Sequence, residues 1–114
     1  MQDKILSMIG MCRRAGRIAA GSRAAEDAVK SRKARLVIFA EDTKGGTKDA
    51  LLKQCDQYHV PHIEYGTKDT LGRITGYGEC ACCAVTDEGL AESIKGLFGS
   101  RKEERKPHGE NEDQ

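Results

Sequence analysis

Residues 35–42, "RLVIFAED", decide the fold, because five consecutive apolar residues there are followed by two acids. A continuous apolar run of this length is typical of a central strand covered on both faces, whereas a strand with one solvent face alternates between apolar and polar residues. A strand of this kind needs helices on both sides of its sheet. The segments before and after residues 35–42 therefore have to be examined as candidate helices.

Two helices and a short strand are predicted before the central strand. The first helix begins at Lys4 and ends before Gly16, and its apolar residues recur at helical spacing: Ile5, Met8, Ile9 and Cys12. The segment "RIAA", residues 17–20, predicts a short strand. Ser22 then predicts an N-cap for a second helix, whose apolar stripe consists of Ala25, Ala28 and Val29.

The second part of the chain continues the same alternation. Thr47 predicts the start of a helix that ends before Pro61, and "HIEYG", residues 62–66, predicts a strand. Thr67 predicts the cap of a short helix, and "CACCAVTD", residues 80–87, predicts a buried strand. A last amphipathic helix carries Leu90, Ile94, Leu97 and Phe98. Alternating helices and strands predict an α/β protein with helices on both faces of a small sheet.

The chain length of 114 residues fits one domain with a single core. We expect this domain to span residues 1–98. Residues 99–114 contain no apolar side chain that could pack, so they are predicted to be a disordered charged tail. The sequence shows neither a secretion signal nor an apolar window long enough for a membrane span, and its odd number of cysteines suits a reducing compartment. A cytoplasmic location is therefore expected.

The formal net charge of +1 hides an asymmetry along the chain. Residues 1–40 contain nine Lys and Arg against three Asp and Glu, whereas residues 41–98 contain six against ten. A basic first third on a nearly neutral protein favours one positive face and a localised polyanion site over general affinity for charged surfaces. A basic but merely solvated helix face is the alternative.

Three motifs resemble ligand-binding or redox sites, but their sequence context does not support such a role. "GYGECA", residues 76–81, precedes a strand instead of opening a helix, so it does not fit a dinucleotide-binding turn. "KGGTK", residues 44–48, lacks the spacing of a triphosphate-binding loop. Cys80 and Cys83 lie in a strand context, which favours small buried hydrophobic residues over a redox or metal site. No Ser or Cys has an adjacent His, so the sequence predicts a protein that is not an enzyme. A metal site is not expected either, because the cysteine cluster has no further ligands nearby in the sequence.

The aromatic residues are too few for a sheet on which single-stranded bases stack. The chain has two Phe and three Tyr, and all except Tyr77 occur in apolar patterns. If nucleic acid is bound, the contacts are expected from a helix end, backbone groups and basic side chains. This combination points to structured RNA.

The order of several segments resembles the kink-turn-binding ribosomal protein superfamily, of the L-seven-Ae and L-thirty-e type, and its small bacterial members in particular. The matching segments are residues 13–43, residues 55–76, with "VP" before a strand and "LGRITG" after it, and "AVTDEGLA" at residues 84–91. The resemblance covers about residues 3–98. It implies a three-layer α/β/α sandwich with a mixed four-stranded sheet, no cofactor and no catalysis.

The resemblance also implies an RNA site made of the start of the second helix and a variable loop before the last strand. The family's glycine falls on Gly21, the next small polar residue on Ser22, and the two residues that address guanine edges on Arg23 and Ala24. The variable loop falls on Gly76, Tyr77, Gly78 and Glu79. Arg23 can donate a bidentate pair to guanine, whereas Ala24 cannot replace the family's acidic acceptor.

Asp27 stands where kink-turn binders carry a lysine, and it repels phosphate at short range. Either the RNA contacts have moved to Arg14, Arg17, Arg32 and Lys33, or the RNA differs from a standard kink-turn. The leading hypothesis is non-enzymatic binding of structured RNA, ribosomal RNA or a kink-turn, by a protein that is monomeric when free. The alternative is a protein-interaction module that has lost its RNA contacts, and a third, weaker alternative is a small-ligand or redox protein.

Overall fold

The computed structural model describes the backbone of residues 3–105 and the side chains of residues 3–100. Helices and strands alternate in this part of the chain, as the sequence predicted. In chain order the elements are α1 (Lys4–Arg14), β1 (Ile18–Ala20), α2 (Ser22–Lys30), β2 (Leu36–Phe39), α3 (Gly46–Tyr58), β3 (His62–Glu64), α4 (Lys68–Thr75), β4 (Cys82–Val85) and α5 (Glu88–Arg105).

The four strands form one mixed sheet in the order β1-β4-β2-β3. Strand β4 pairs antiparallel with both β1 and β2, whereas β2 and β3 are parallel. All four residues of β2 are buried, so the prediction of a central strand is confirmed. Strand β4 is equally buried between β1 and β2.

Alternate side chains of β2 enter two separate cores. Leu36 and Ile38 pack with Ile9 of α1, Leu71 of α4 and Ile94 of α5 on one face of the sheet. On the other face, the second core contains residues of β2, α2 and α3: Val37, Phe39, Ala25, Val29, Leu51 and Cys55. The three-layer α/β/α sandwich is therefore confirmed. Because both faces are covered, β2 needs a continuous apolar run.

The predicted helix ends are confirmed at two places and wrong at two others. Helix α1 ends in a Schellman arrangement, in which Gly16 has φ +70° and the Arg17 N–H donates to the Cys12 carbonyl at 2.8 Å. Thr67 caps α4 through a reciprocal capping box. The caps predicted at Ser22 and Thr47 are wrong, because glycines occupy the N-cap positions of α2 and α3, at residues 21 and 45.

The C-terminal segment differs from the predicted tail. Helix α5 continues to Arg105, so the first residues of the segment expected to be disordered are helical. An anchored helix extends through good helix formers without a new nucleation step, which explains the difference. Residues 106–114 lie outside the described residues. No helix in residues 3–105 is long and apolar enough to cross a membrane.

Candidate nucleic-acid interface

The pairing of β1 with β4 brings together the two segments that the sequence analysis selected. Ala20 is opposite Cys83, and the Gly21 N–H donates to the Cys82 carbonyl at 2.9 Å. In an antiparallel pair the end of one strand lies beside the start of the other. The interface loop, residues 76–79, is separated from the start of β4 by two residues and therefore lies near the start of α2. A Cβ placed on Gly21 would be 3.8 Å from Cε2 of Tyr77.

Gly21 makes the turn from β1 into α2 in a single residue. Its φ of +96° and ψ of 159° belong to a region that essentially only glycine occupies. No side chain caps this helix start, and its first turn contains no acid. The backbone N–H groups at the start of α2 therefore lack intrahelical acceptors and can bind an anion.

The start of α2 differs from the other helix starts of the described structure. Asp3 accepts a hydrogen bond at the start of α1, Thr67 caps α4, and Asp87 accepts from a backbone N–H of α5. Helix α3 has no side-chain cap but carries Asp49 in its first turn. Only α2 has neither a capping side chain nor an acid in its first turn, which makes it the helix start most favourable to an external anion.

The interface loop is held against α4 by backbone contacts. Gly76 ends α4 in the left-handed conformation with φ +83°, and the Tyr77 N–H donates to the Gly72 carbonyl at 2.8 Å. Gly78 has φ +80°, and the Glu79 N–H donates back to the Tyr77 carbonyl at 2.9 Å. The fixed backbone presents the Tyr77 side chain, which is 63% exposed.

The other predicted site residues on α2 lie where the sequence analysis placed them. Ser22, Arg23 and Ala24 form the first turn of α2, with Arg23 exposed and Ala24 half-buried. Ser22 accepts a hydrogen bond from the Cys82 thiol at 3.6 Å, so its hydroxyl contacts β4 and does not cap the helix. Asp27 is exposed one turn further along α2.

The structure does not bring the four predicted basic residues to this helix start. Arg17 lies at the opposite end of β1, where its carbonyl accepts from the Thr86 N–H. Arg32 and Lys33 follow the other end of α2, and the Arg32 guanidinium lies 5.2 Å from the centre of the Tyr58 ring. Arg14 extends along α1, because its Nη1 would be 3.5 Å from a Cβ on Gly10.

Two residues at the loop were missed by the sequence analysis. Arg13, on the last turn of α1, contacts Gly76, and Gly72 allows the loop backbone to pack on α4. A glycine inside a predicted helix is a recognisable signal of close packing, so Gly72 was accessible to sequence reasoning. The direction of the Arg13 side chain depends on the packing of α1 against α4, and no local pattern indicates it.

The five cysteines are all buried and free, as expected for small hydrophobic residues. Cys80, directly after the interface loop, is the exceptional one, because its pKa is lowered from 9.0 to about 6. A hydrogen bond from the Cys83 side chain is the main cause, and the Gly21 backbone N–H and Thr75 add to it against the opposing effect of burial. Burial raises the pKa of Cys12 and Cys55 to about 11. Within the described residues, no group of His, Cys, Asp and Glu side chains could hold a metal.

We predict that Cys83→Ala raises the pKa of Cys80, because it removes the main hydrogen-bond donor to the thiolate. Folding lowers this pKa from 9.0 to about 6, so the unfolded chain binds the proton more tightly in that interval. The free energy of unfolding should therefore rise as the pH increases from about 6 to 9.0. The stabilisation that the Cys80 thiolate contributes should be lost as the pH falls through about 6. The ultraviolet absorbance of the thiolate measures the titration. Cys55→Ala should leave the midpoint unchanged, and an unchanged midpoint in Cys83→Ala would contradict the assignment.

A sequence model of the "Ribosomal protein L7Ae/L30e/S12e/Gadd45 family" matches residues 3–95, which is most of the chain. The chain belongs to this family. Among its relatives in the L7Ae/L30e/S12e/Gadd45 family is the "RNA-binding protein YlxQ" of Bacillus subtilis (strain 168). It is 28% identical over 91 residues, covering 80% of this chain and 91% of the relative. The protein of the same name from Enterococcus faecium is 25% identical over 97 residues, covering 85% of this chain and 93% of the relative.

Solved structures share the fold of this chain. A protein of unknown function from Bacillus halodurans has a TM-score of 0.81 and 31% identity, covering 86% of this chain and 99% of that one. A Giardia lamblia 15.5kD RNA binding protein has a TM-score of 0.70 and 21% identity, covering 88% and 92%. This second similarity is evidence for the fold.

Proposed function

We propose that this protein binds structured RNA through the start of α2 and the interface loop, and that it does so without catalysing a reaction or using a cofactor. The observation that carries the proposal is the position of the Tyr77 ring beside Gly21, since a Cβ placed on Gly21 would be 3.8 Å from that ring. This position puts the loop next to the uncapped start of α2. Membership of the family and the two relatives named as RNA-binding proteins support it. We propose further that the protein is monomeric when free and acts in the cytoplasm.

The chemistry of the surface is suited to phosphate and to base edges. The free N–H groups and the dipole at the start of α2 attract a phosphate. Arg23 is exposed at the same turn, and its guanidinium can donate two hydrogen bonds to guanine O6 and N7. The exposed ring of Tyr77 offers a face on which a base can stack.

The proposed target is a kink-turn or a related sharply bent motif, in ribosomal RNA or in another structured RNA, and the protein is proposed to associate with the ribosome. The match of residues 3–95 to the L7Ae/L30e/S12e/Gadd45 family supports this choice. The geometry also suits it, because a helix start and a loop that meet at an angle fit a bent backbone better than a straight duplex. Ala24 supplies no acceptor and Asp27 supplies a negative charge, so Arg23 is the side chain of α2 on which base recognition depends.

We expect the protein to prefer a kink-turn RNA over the same RNA with its G·A pairs disrupted, because each base edge that the protein no longer reads costs about 1–3 kcal/mol of binding free energy. Titration of both labelled RNAs near physiological ionic strength measures the preference. Equal and weak binding of the two RNAs would refute kink-turn specificity. High-affinity binding of a different structured RNA would support RNA binding as the function but would show that the target is not a kink-turn.

Arg23→Ala should reduce the discrimination between these two RNAs, because it removes the proposed base contact. Lys33→Ala, just beyond the other end of α2 and outside the proposed interface, removes one positive charge but should leave both the discrimination and the salt dependence of binding unchanged. Measuring both variants on both RNAs separates base recognition from charge. Unchanged discrimination in Arg23→Ala would show that another residue reads the RNA.

A second function is favoured by Ala24 and Asp27, two positions at which the side chains that kink-turn binders use for RNA are absent. A protein-interaction module could keep this fold without binding RNA. It predicts a stable protein complex from native lysate and no protection of the α2 start by RNA. Sequencing of RNA crosslinked to the protein in cells distinguishes the two functions and identifies the target.

A further inference from the structure

Arg13 lies on the last turn of α1 with its guanidinium against Gly76, the first residue of the interface loop. A Cβ placed on Gly76 would be 2.6 Å from Nη2 and 2.8 Å from Cζ of Arg13. A side chain at residue 76 would require the Arg13 guanidinium to move. The contact therefore places a positive charge at the edge of the loop that carries Tyr77.

The donors of Arg13 have no partner among the described residues. Arg73 and Arg35 are different, because Arg73 pairs with Asp69 at 2.6 Å and Arg35 with Glu88 at 3.7 Å. No hydrogen bond or ion pair of this kind holds Arg13 among the residues whose side chains are described. A guanidinium has five donors in a planar fork, so an exposed and unpaired one can bind an anion through two hydrogen bonds.

Of the three arginines at the end of α1 and the start of β1, Arg13, Arg14 and Arg17, Arg13 is the one that lies against the loop. Arg14 folds back over Gly10, next to Ile74, and Arg17 lies at the end of β1 remote from Gly21. The loop runs from Gly76, under the Arg13 guanidinium, to the contact between Tyr77 and Gly21. The cation, the exposed ring and the uncapped helix start therefore follow one another along one surface.

We infer that Arg13 binds a backbone phosphate of the RNA strand that crosses the interface loop, which makes α1 a third element of the RNA interface. The inference rests on the proposed RNA-binding function. A phosphate offers a negative charge and two oxygens to the planar fork of the guanidinium. Glu79, the acid of the loop, forms no ion pair with Arg13 and leaves the fork open.

The first test is the salt dependence of RNA affinity in Arg13→Gln. Removal of one phosphate contact should reduce the slope of log Kd against log salt by roughly 0.7–0.9 and weaken binding about tenfold at low salt. Arg13→Lys should retain the slope, because it keeps the charge, and bind several-fold more weakly, because it loses the fork. The midpoint of thermal unfolding should not change, since the replaced side chain is exposed and unpaired.

Arg35→Gln is the matched control. It removes the same charge from an exposed arginine at the far end of β4, where the Arg35 N–H donates to the Val85 carbonyl. Its salt slope should equal that of the unmodified protein. An equal reduction of slope in Arg13→Gln and Arg35→Gln would overturn the inference, because the effect would then be one of net charge.

A second test uses two glycines of the interface loop. Gly76 and Gly78 have φ of +83° and +80°, but only a Cβ on Gly76 would displace the Arg13 guanidinium, since a Cβ on Gly78 meets nothing within 4 Å. Gly76→Ala should weaken RNA binding less in an Arg13→Gln background than alone. Gly78→Ala should have the same effect in both backgrounds, because Gly78 and Arg13 do not touch.

The outcomes separate the two proposals. If the unmodified protein binds the kink-turn RNA and Arg13→Gln binds with the same affinity and salt slope, the inference is wrong and the proposed function stands. If the unmodified protein binds no structured RNA, both are wrong. The phosphate contact is supported if the effects of Arg13→Gln and Gly76→Ala on RNA affinity are non-additive, those of Arg13→Gln and Gly78→Ala are additive, and Arg13→Gln reduces the salt slope.

Discussion

Gly72→Ala is expected to lower the free energy of unfolding by about 1–3 kcal/mol, although alanine is the better helix former. A Cβ at this position of α4 would be 2.3 Å from the Gly78 carbonyl oxygen and 2.6 Å from the Glu79 nitrogen. Both are backbone atoms, so no side-chain rotation relieves the overlap. The interface loop has to move away from α4, and the Tyr77 N–H must lose its hydrogen bond to the Gly72 carbonyl.

Urea unfolding measures this loss, and RNA titration measures the displacement of the loop, which should weaken binding at least about tenfold. Gly96→Ala is the matched control, because Gly96 is exposed within α5 and a Cβ there meets nothing within 4 Å. It should raise the free energy of unfolding by up to about 1 kcal/mol and leave RNA binding unchanged. A stabilised Gly72→Ala variant would show that the loop is not packed on α4 as described.

Gly21→Ala is expected to impair both stability and RNA binding. The positive φ and extended ψ of Gly21 cost a residue with a Cβ about 1–3 kcal/mol. The contact with Tyr77 is not itself prohibitive, because the added Cβ would lie at an ordinary 3.8 Å from the ring. The strain is relieved only if the backbone rotates, which turns the first N–H groups of α2 away from the proposed phosphate.

Gly45→Ala provides the comparison. Gly45 precedes α3 with φ +97° and ψ −167°, close to the conformation of Gly21, and a Cβ there meets nothing within 4 Å. Both variants should therefore lose similar stability in thermal unfolding. RNA affinity should fall about tenfold or more in Gly21→Ala and much less in Gly45→Ala. Equal losses of affinity would mean that the binding defect reflects stability alone.

The layers of the fold were predictable because they depend on local hydrophobic patterns. The continuous run in β2 requires cover on both sides, and the apolar stripes of α2 and α5 provide part of it. Two of the helix starts were not predictable from propensity, whereas Thr67 caps α4 as predicted. Ser22 and Thr47 are good capping residues, yet Gly21 and Gly45 already turn the chain into α2 and α3.

The candidate site was only partly predictable for a related reason. Gly21 and the interface loop were selected from the resemblance, and their contact follows from the antiparallel pairing of β1 with β4. The positions of the basic side chains were harder to predict, because the direction in which a long side chain extends depends on tertiary packing. Arg13 and Arg14 are neighbours in sequence, but one reaches the loop and the other lies along α1.

The hydrogen bond between Gly21 and Cys82 has a consequence for the newly synthesised protein. The start of α2 leaves the ribosome early, whereas the interface loop and β4 are among the last parts of the domain to be made. A nascent chain that already contains Gly21 therefore lacks the complete surface that we propose for RNA, and it acquires that surface only when the sheet is complete. On the proposed function, RNA that binds this surface stabilises the finished domain, because it binds the folded state and not the incomplete chain.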